Sequence, residues 1–163
     1  MLAPGSRLRR AIATSRSNLI EIPDERGGWI RSATAAALDA AQDHGCDLLL
    51  ASGPPFSAFV VAHRAARSLG IPWIADYRDL WSSSSYYGRS RVRRRLDAHI
   101  ERRTLSNCSA AITVSDPLAK DLERDFSLPT TTLLNGFDPV DIKPISERLP
   151  LSEARLNLLY VGN

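Results

Sequence analysis

Twice in this chain a helix-forming stretch ends on a glycine and gives way at once to a short apolar run. ALDAAQDHG passes into CDLLLAS, and AHRAARSLG passes into IPWIADY. A helical period that stops at glycine reads as a helix closed by a left-handed cap, here at Gly45 and Gly70. A continuous apolar run of strand length reads as a strand buried on both faces. SAAITV and TTLLN repeat the strand pattern, with Ser115 or Asp116 and then Pro117 opening the helix between them. LNLLYV adds a last strand, and NLIEI near the start offers a weak one. Strands alternating with helices through short connections predict an open parallel α/β sheet.

In such sheets the ligand crevice lies beyond the carboxyl ends of the strands. Three clusters fall there: Ser52–Gly53–Pro54, the charged tip Asp76, Arg78 and Asp79, and Asn135–Gly136 with Asp138. An arginine is protonated at any working pH, so Arg78 cannot be a general base. It can pair with a phosphate or a carboxylate in bidentate fashion. Asp76 and Asp79 either accept hydrogen bonds from a substrate hydroxyl or hold Arg78 in a salt bridge. Ser52–Gly53–Pro54–Pro55 reads first as a tight turn that presets a helix start, and second as a ligand contact. Asn135–Gly136 reads as a hinge in which glycine supplies positive φ, with Asp138 holding the turn.

At 44% hydrophobic and 24% charged, 163 residues form a globular chain rather than a disordered one. No apolar run approaches the ~18–20 residues of a membrane-spanning helix, and the basic N-terminus lacks a signal-peptide core. Cys46 and Cys108 are isolated thiols in apolar settings, too few for a disulfide scaffold or zinc site, which points to the cytoplasm. No metal site is expected: His44, His63 and His99 have no ligand spacing, and no P-loop, zincin or serine-hydrolase motif is present. Seven arginines fall between Arg89 and Arg103, giving that stretch +5 and leaving −2 to the rest of the chain. Val92, Leu96 and Ile100 recur every four residues, which predicts an inward apolar stripe with arginines outside. Arg91, Arg93, Arg94 and Arg95 would then face an anionic membrane, or simply solvent. Nucleic acid is not expected, because no aromatics are interleaved with the basic residues.

Several motifs in order resemble family-4 glycosyltransferases, retaining enzymes of the two-domain GT-B architecture. The stretch from GWIRSATAAALDA through CDLLLASGPP to GIPWIADYRDLW is similar to the family's helix, strand, helix and next strand. AAITVSDPLAKDLERDF resembles its strand ending in Val-Ser, LLNGFDP its "P-N-G-apolar-D" signature, and LNLLYVGN the first strand of its donor-side domain. The resemblance covers roughly residues 27–163. It implies a Rossmann-like acceptor-side domain over 27–138, preceded by a poorly defined segment over 1–26. A linker over 139–155 and the first donor-side strand over 156–163, with Gly162 at the donor, would follow.

By that resemblance the enzyme moves a sugar from a nucleotide-sugar to a glycan or lipid-linked acceptor, with no resident cofactor or metal. Family members commonly place a histidine where Arg78 stands, and Arg78 matches the relatives with an "R-D-apolar-W" pattern. Asp76, Arg78 and Asp79 are then the catalytic candidates. Ser52, Gly53, Pro54, Trp81, Tyr86 and Tyr87 are the acceptor contacts, the aromatics stacking on sugar or forming a packing lid. The chain reads as truncated at both ends and incapable of turnover without a donor-binding domain. Its location would be cytoplasmic, peripheral to the inner membrane face if the arginine helix docks there. A sugar-nucleotide epimerase of the same architecture, or a non-catalytic acceptor- or membrane-binding subunit, remain the other readings.

Overall fold

The computed structural model describes residues 22–84 and 89–141. Four helices alternate with four strands in chain order: α1 (Ile30–His44), β1 (Leu49–Gly53), α2 (Ser57–Leu69), β2 (Trp73–Tyr77), α3 (Arg91–Thr104), β3 (Ala110–Thr113), α4 (Asp116–Phe126) and β4 (Thr130–Thr132). The strands form one parallel sheet in the order β1-β2-β3-β4. It is the α/β, Rossmann-like architecture expected of half a GT-B fold. Gly45 and Gly70 end α1 and α2 at φ 62° and 69°, the left-handed caps that their sequence positions suggested. Ser90 caps α3, its Oγ accepting from the Arg93 amide at 3.2 Å. Ser115 precedes α4 without a side-chain cap bond.

A sheet whose order follows the chain needs every right-handed crossover to pass over the same face. That face is buried: Ala51, Trp73, Ala75, Tyr77, Ala111 and Thr113 lie against the helices. Between sheet and helices, Phe59 sits among Trp73, Tyr77 and Trp81 with centroids 4.8 to 6.4 Å apart. Phe56 stacks on Trp81 at 5.1 Å with planes 2° apart. Offset and edge-on aromatic pairs of this kind add about 0.5–1.5 kcal/mol each to the burial term. Gly53 is required by this cluster, since a Cβ there would stand 2.9 Å from Phe59 Cζ.

The opposite face corrects the expectation of strands buried on both sides. Burial alternates along β1 and β2, and Leu50 is 64% exposed on the open face. An apolar run such as CDLLLAS reports that a strand is apolar, not how many layers cover it. TTLLN is shifted too: β4 ends at Thr132, and Leu133 and Leu134 are exposed. Cys46 is exposed rather than in an apolar setting.

A larger correction concerns α3. Its inward stripe is Arg93, Asp97, Glu101 and Thr104, all buried, while Val92 is 77% exposed and Leu96 also faces out. Two stripes with the same four-residue spacing compete in this helix, and the polar one wins because it finds partners. Arg93 Nε and Arg89 Nη1 donate to the two oxygens of Asp97 at 2.8 and 2.7 Å, and Arg93 Nη2 donates to the Pro23 carbonyl. At 3% exposure Arg93 cannot touch a membrane. Of the linker over 139–155 only the short turn Pro139–Asp141 is described; Tyr86, Tyr87, the NLIEI strand before Ile22 and the strand carrying Gly162 lie outside the described residues.

Phe59→Ala should lower the unfolding free energy by about 3–5 kcal/mol, as for other buried aromatics truncated in a packed core. Leu50→Ser, on the open face, should change it by less than about 0.5 kcal/mol. Urea unfolding of the two variants checks both, and a large loss at Leu50 would mean that face is covered.

Candidate functional site

The register of β1 on β2 sets Ser52 beside Asp76 and Gly53 beside Tyr77, at the carboxyl ends of both strands. Side chains alternate along a strand, so Ser52 and Asp76 emerge together on the open face. Ser52 Oγ donates to Asp76 Oδ2 at 2.7 Å. Arg78 lies two residues further on; its amide continues the ladder to the Gly53 carbonyl, and its Nε donates to the same Asp76 oxygen at 3.1 Å. Arg78 Nη1 donates to Asn135 Oδ1 at 2.6 Å, bridging from β2 to the segment after β4. The result is a solvent-facing polar chain of Ser52, Asp76, Arg78 and Asn135. Its guanidinium side chain is 56% exposed and the Asp76 carboxylate 16%. Two anchors fix the guanidinium plane while its remaining N–H groups stay open to solvent, a geometry suited to an anionic group.

The strand exit that carries Arg78 is tied down from below. Tyr77 Oη donates to Glu101 Oε1 at 2.8 Å, and the Ser82 amide donates to Glu101 Oε2 at 3.1 Å. One buried carboxylate therefore grips the chain on both sides of Arg78. Burial pushes the Glu101 carboxyl above the ordinary glutamate range, against the opposing pull of its hydrogen bonds from Ser82 and Tyr77. Burial, and then the Glu101 charge, hold the Tyr77 hydroxyl well above its usual value.

Asp79, expected beside Arg78, turns away: its Oδ1 accepts from the Leu80 amide at 2.8 Å, and Arg78 pairs with Asp76 instead. Trp81 is not a sugar-stacking residue, because its ring lies fully buried on Phe56. Among the described residues its Nε1 is a buried side-chain donor without a partner. Gly53 is buried beneath Phe56 and Phe59, whereas Pro54 is exposed at the turn. The first N–H of α2 is not open to a ligand, since the Ser57 amide donates to Asp24 Oδ2 at 2.6 Å. Gly136 does not adopt positive φ. Asp138 Oδ1 accepts from the Val140 amide at 2.9 Å and so caps the turn that follows. Sequence reasoning missed Asn135 as the second anchor of Arg78, Asp24 as the cap of α2, and Glu101 altogether. Each bonds a partner at least nineteen residues away, so no local signal could have found them.

Among the described residues no three His, Cys, Asp or Glu side chains gather to hold a metal ion. No helix there is long and apolar enough to cross a membrane. The family model described as Glycosyltransferase Family 4 matches residues 2–141. No curated protein and no solved structure matches the chain.

Glu101 also makes stability depend on pH. Its folded pKa stands above the unfolded value of about 4.3, so over that window the native state keeps a proton the unfolded state has lost. This contribution is intact below the unfolded pKa and declines as pH rises through the folded one. In urea unfolding between pH 4 and 8, the stability of wild type relative to Glu101→Gln should fall with rising pH. A difference that stays flat or rises would contradict the assignment.

Proposed function

Because the chain belongs to glycosyltransferase family 4, we propose that it supplies the acceptor-facing half of a centre that moves a sugar from a nucleoside-diphosphate donor to a hydroxyl. The observation that carries this reading is Arg78, held in plane by Asp76 and Asn135 with its outer N–H groups exposed at the strand tips. As the glycosidic bond to the donor breaks, negative charge builds on the departing diphosphate. A preorganised cation stabilises that charge without having to reorient during the reaction. Arg78 is such a cation, and in this reading it faces the transferred sugar and its phosphate. Asp76 Oδ2 is occupied by Ser52 and Arg78. Its other oxygen is left to orient the acceptor hydroxyl.

Retention of the anomeric configuration, the nucleotide-sugar donor and a glycan or lipid-linked acceptor follow from the family resemblance, as does closure of a donor-side domain about Asn135–Gly136. The reading calls for no redox cofactor or resident metal, since Arg78 offers cationic charge at the crevice. Arg78→Gln keeps a hydrogen-bonding side chain but removes the charge. It should lower kcat for sugar transfer by roughly 10²–10³-fold, the loss seen when one charge-stabilising donor is removed, with an unchanged circular dichroism spectrum. Activity within twofold of wild type would sink the proposal.

A peripheral membrane role is the second part of this reading, favoured by the outward face of α3. Arg91, Arg94 and Arg95 are exposed there beside Val92 and Leu96. Exposed aliphatics among arginines suit an anionic lipid surface better than water does. Each arginine near such a surface contributes about 1 kcal/mol, so Arg91→Gln, Arg94→Gln and Arg95→Gln together should weaken binding to anionic vesicles by roughly 100-fold. Equal sedimentation of the triple variant with those vesicles would remove the membrane role.

A further inference from the structure

A groove of about 690 Å³ lies between α2 and α3, rimmed by α1. Its basic lining is Arg64, Arg67 and Arg103 with His63 and His99, and no carboxylate lines it. Among the described residues none of the three arginines makes an ion pair. Two other arginines of α3 contrast with them: Arg93 is committed to Asp97, and Arg102 to the Asp125 carbonyl and the Phe126 ring. Three guanidiniums around one concavity repel each other unless an anion joins them, and planar N–H forks match phosphate oxygens.

His63 is fixed in place for such a ligand. Asn107 Oδ1 accepts from Trp73 Nε1 at 3.0 Å, and an indole nitrogen can only donate. Asn107 Nδ2 donates to the His63 carbonyl at 3.1 Å, which agrees with that amide orientation. The 2.6 Å contact between His63 Nδ1 and Asn107 Oδ1 is therefore a bond donated by Nδ1–H. The ring is pinned through Nδ1, and Nε2 is the nitrogen left over for other work. Thr34 Oγ1 already donates to the Ile30 carbonyl, so Ser68 is the remaining exposed hydroxyl on the lining.

We propose that this groove is a second anion site, which takes a phosphate-bearing group between Arg64 and Arg67 of α2 and Arg103 of α3. It is separate from the crevice. Strand and following helix run in opposite directions in a parallel unit, so Arg64 and Arg67 lie roughly 10–15 Å along α2 from its crevice end at Ser57. The shared chemistry is phosphate, free in solution or on a lipid headgroup.

Calorimetric titration of the 163-residue chain with inorganic pyrophosphate, against chloride at equal ionic strength, tests the site. Arg64→Gln with Arg67→Gln should weaken pyrophosphate roughly ten- to a hundredfold, and Arg124→Gln on α4 should leave it unchanged. Both changes lie on solvent-exposed side chains, and thermal melts report whether the variants fold as wild type does. A parallel arm uses phosphatidylcholine vesicles carrying phosphatidic acid or, at matched charge, phosphatidylserine. Loss of pyrophosphate binding alone identifies free phosphate as the source. Loss of phosphatidic acid binding, with or without pyrophosphate, identifies the headgroup. The proposal is overturned if neither probe distinguishes the double variant from wild type, or if pyrophosphate binding disappears with Arg78→Gln instead.

Discussion

The Glu101 carboxylate is the clasp between helix layer and sheet. Its two oxygens take the Tyr77 hydroxyl and the Ser82 amide, and one turn away Asp97 takes Arg89 and Arg93. Buried carboxylates lose hydration worth several kcal/mol each, and only close hydrogen bonds and counter-charges offset the loss. Evenly packed leucines in their place could give a fold of equal or greater stability. What the polar seam provides is orientation: α3 has one rotation about its axis in which these bonds form. That rotation fixes the strand exit bearing Arg78, and it turns Val92, Leu96, Arg91, Arg94 and Arg95 outward.

The arginine-rich stretch thus divides by partner. Arg89 and Arg93 are structural, neutralising Asp97 inside the protein. Arg102 rests on α4. Arg91, Arg94 and Arg95 face outward, and Arg103 turns toward the α2 groove. A net local charge of +5 would suggest one continuous patch, whereas the fold makes a surface and a groove of it. Arg78, outside this stretch, stands at the carboxyl end of β2, an interior strand of the sheet.

What the sequence revealed were features encoded locally. Glycine at the end of α1 and α2, the helical period before it and the apolar run after it are neighbours in the chain, and they placed the tips of β1 and β2 correctly. The rest depended on distance. Val92–Leu96–Ile100 and Arg93–Asp97–Glu101 have the same period, and hydrophobicity favours the first. Ile100 does pack against the core, but Val92 and Leu96 face out because Tyr77, Ser82, Arg89 and Pro23 bond the second. Trp81 follows the charged tip and so suggested a ligand stack, yet Phe56 claims its face. Asn135 looked like a turn residue because Arg78 stands 57 positions earlier.

In the proposed centre, the chain of Ser52, Asp76, Arg78 and Asn135 meets the ligand of a family-4 transferase. Backbone and arginine Nε–H chemical shifts of the isotopically labelled protein, followed while nucleoside-diphosphate sugars and candidate acceptors are added, address that contact residue by residue. The largest perturbations should fall on the amides of Ser52, Asp76 and Asn135 and on the Arg78 Nε–H. A ligand that is turned over by the enzyme yet leaves all four unmoved would contradict it.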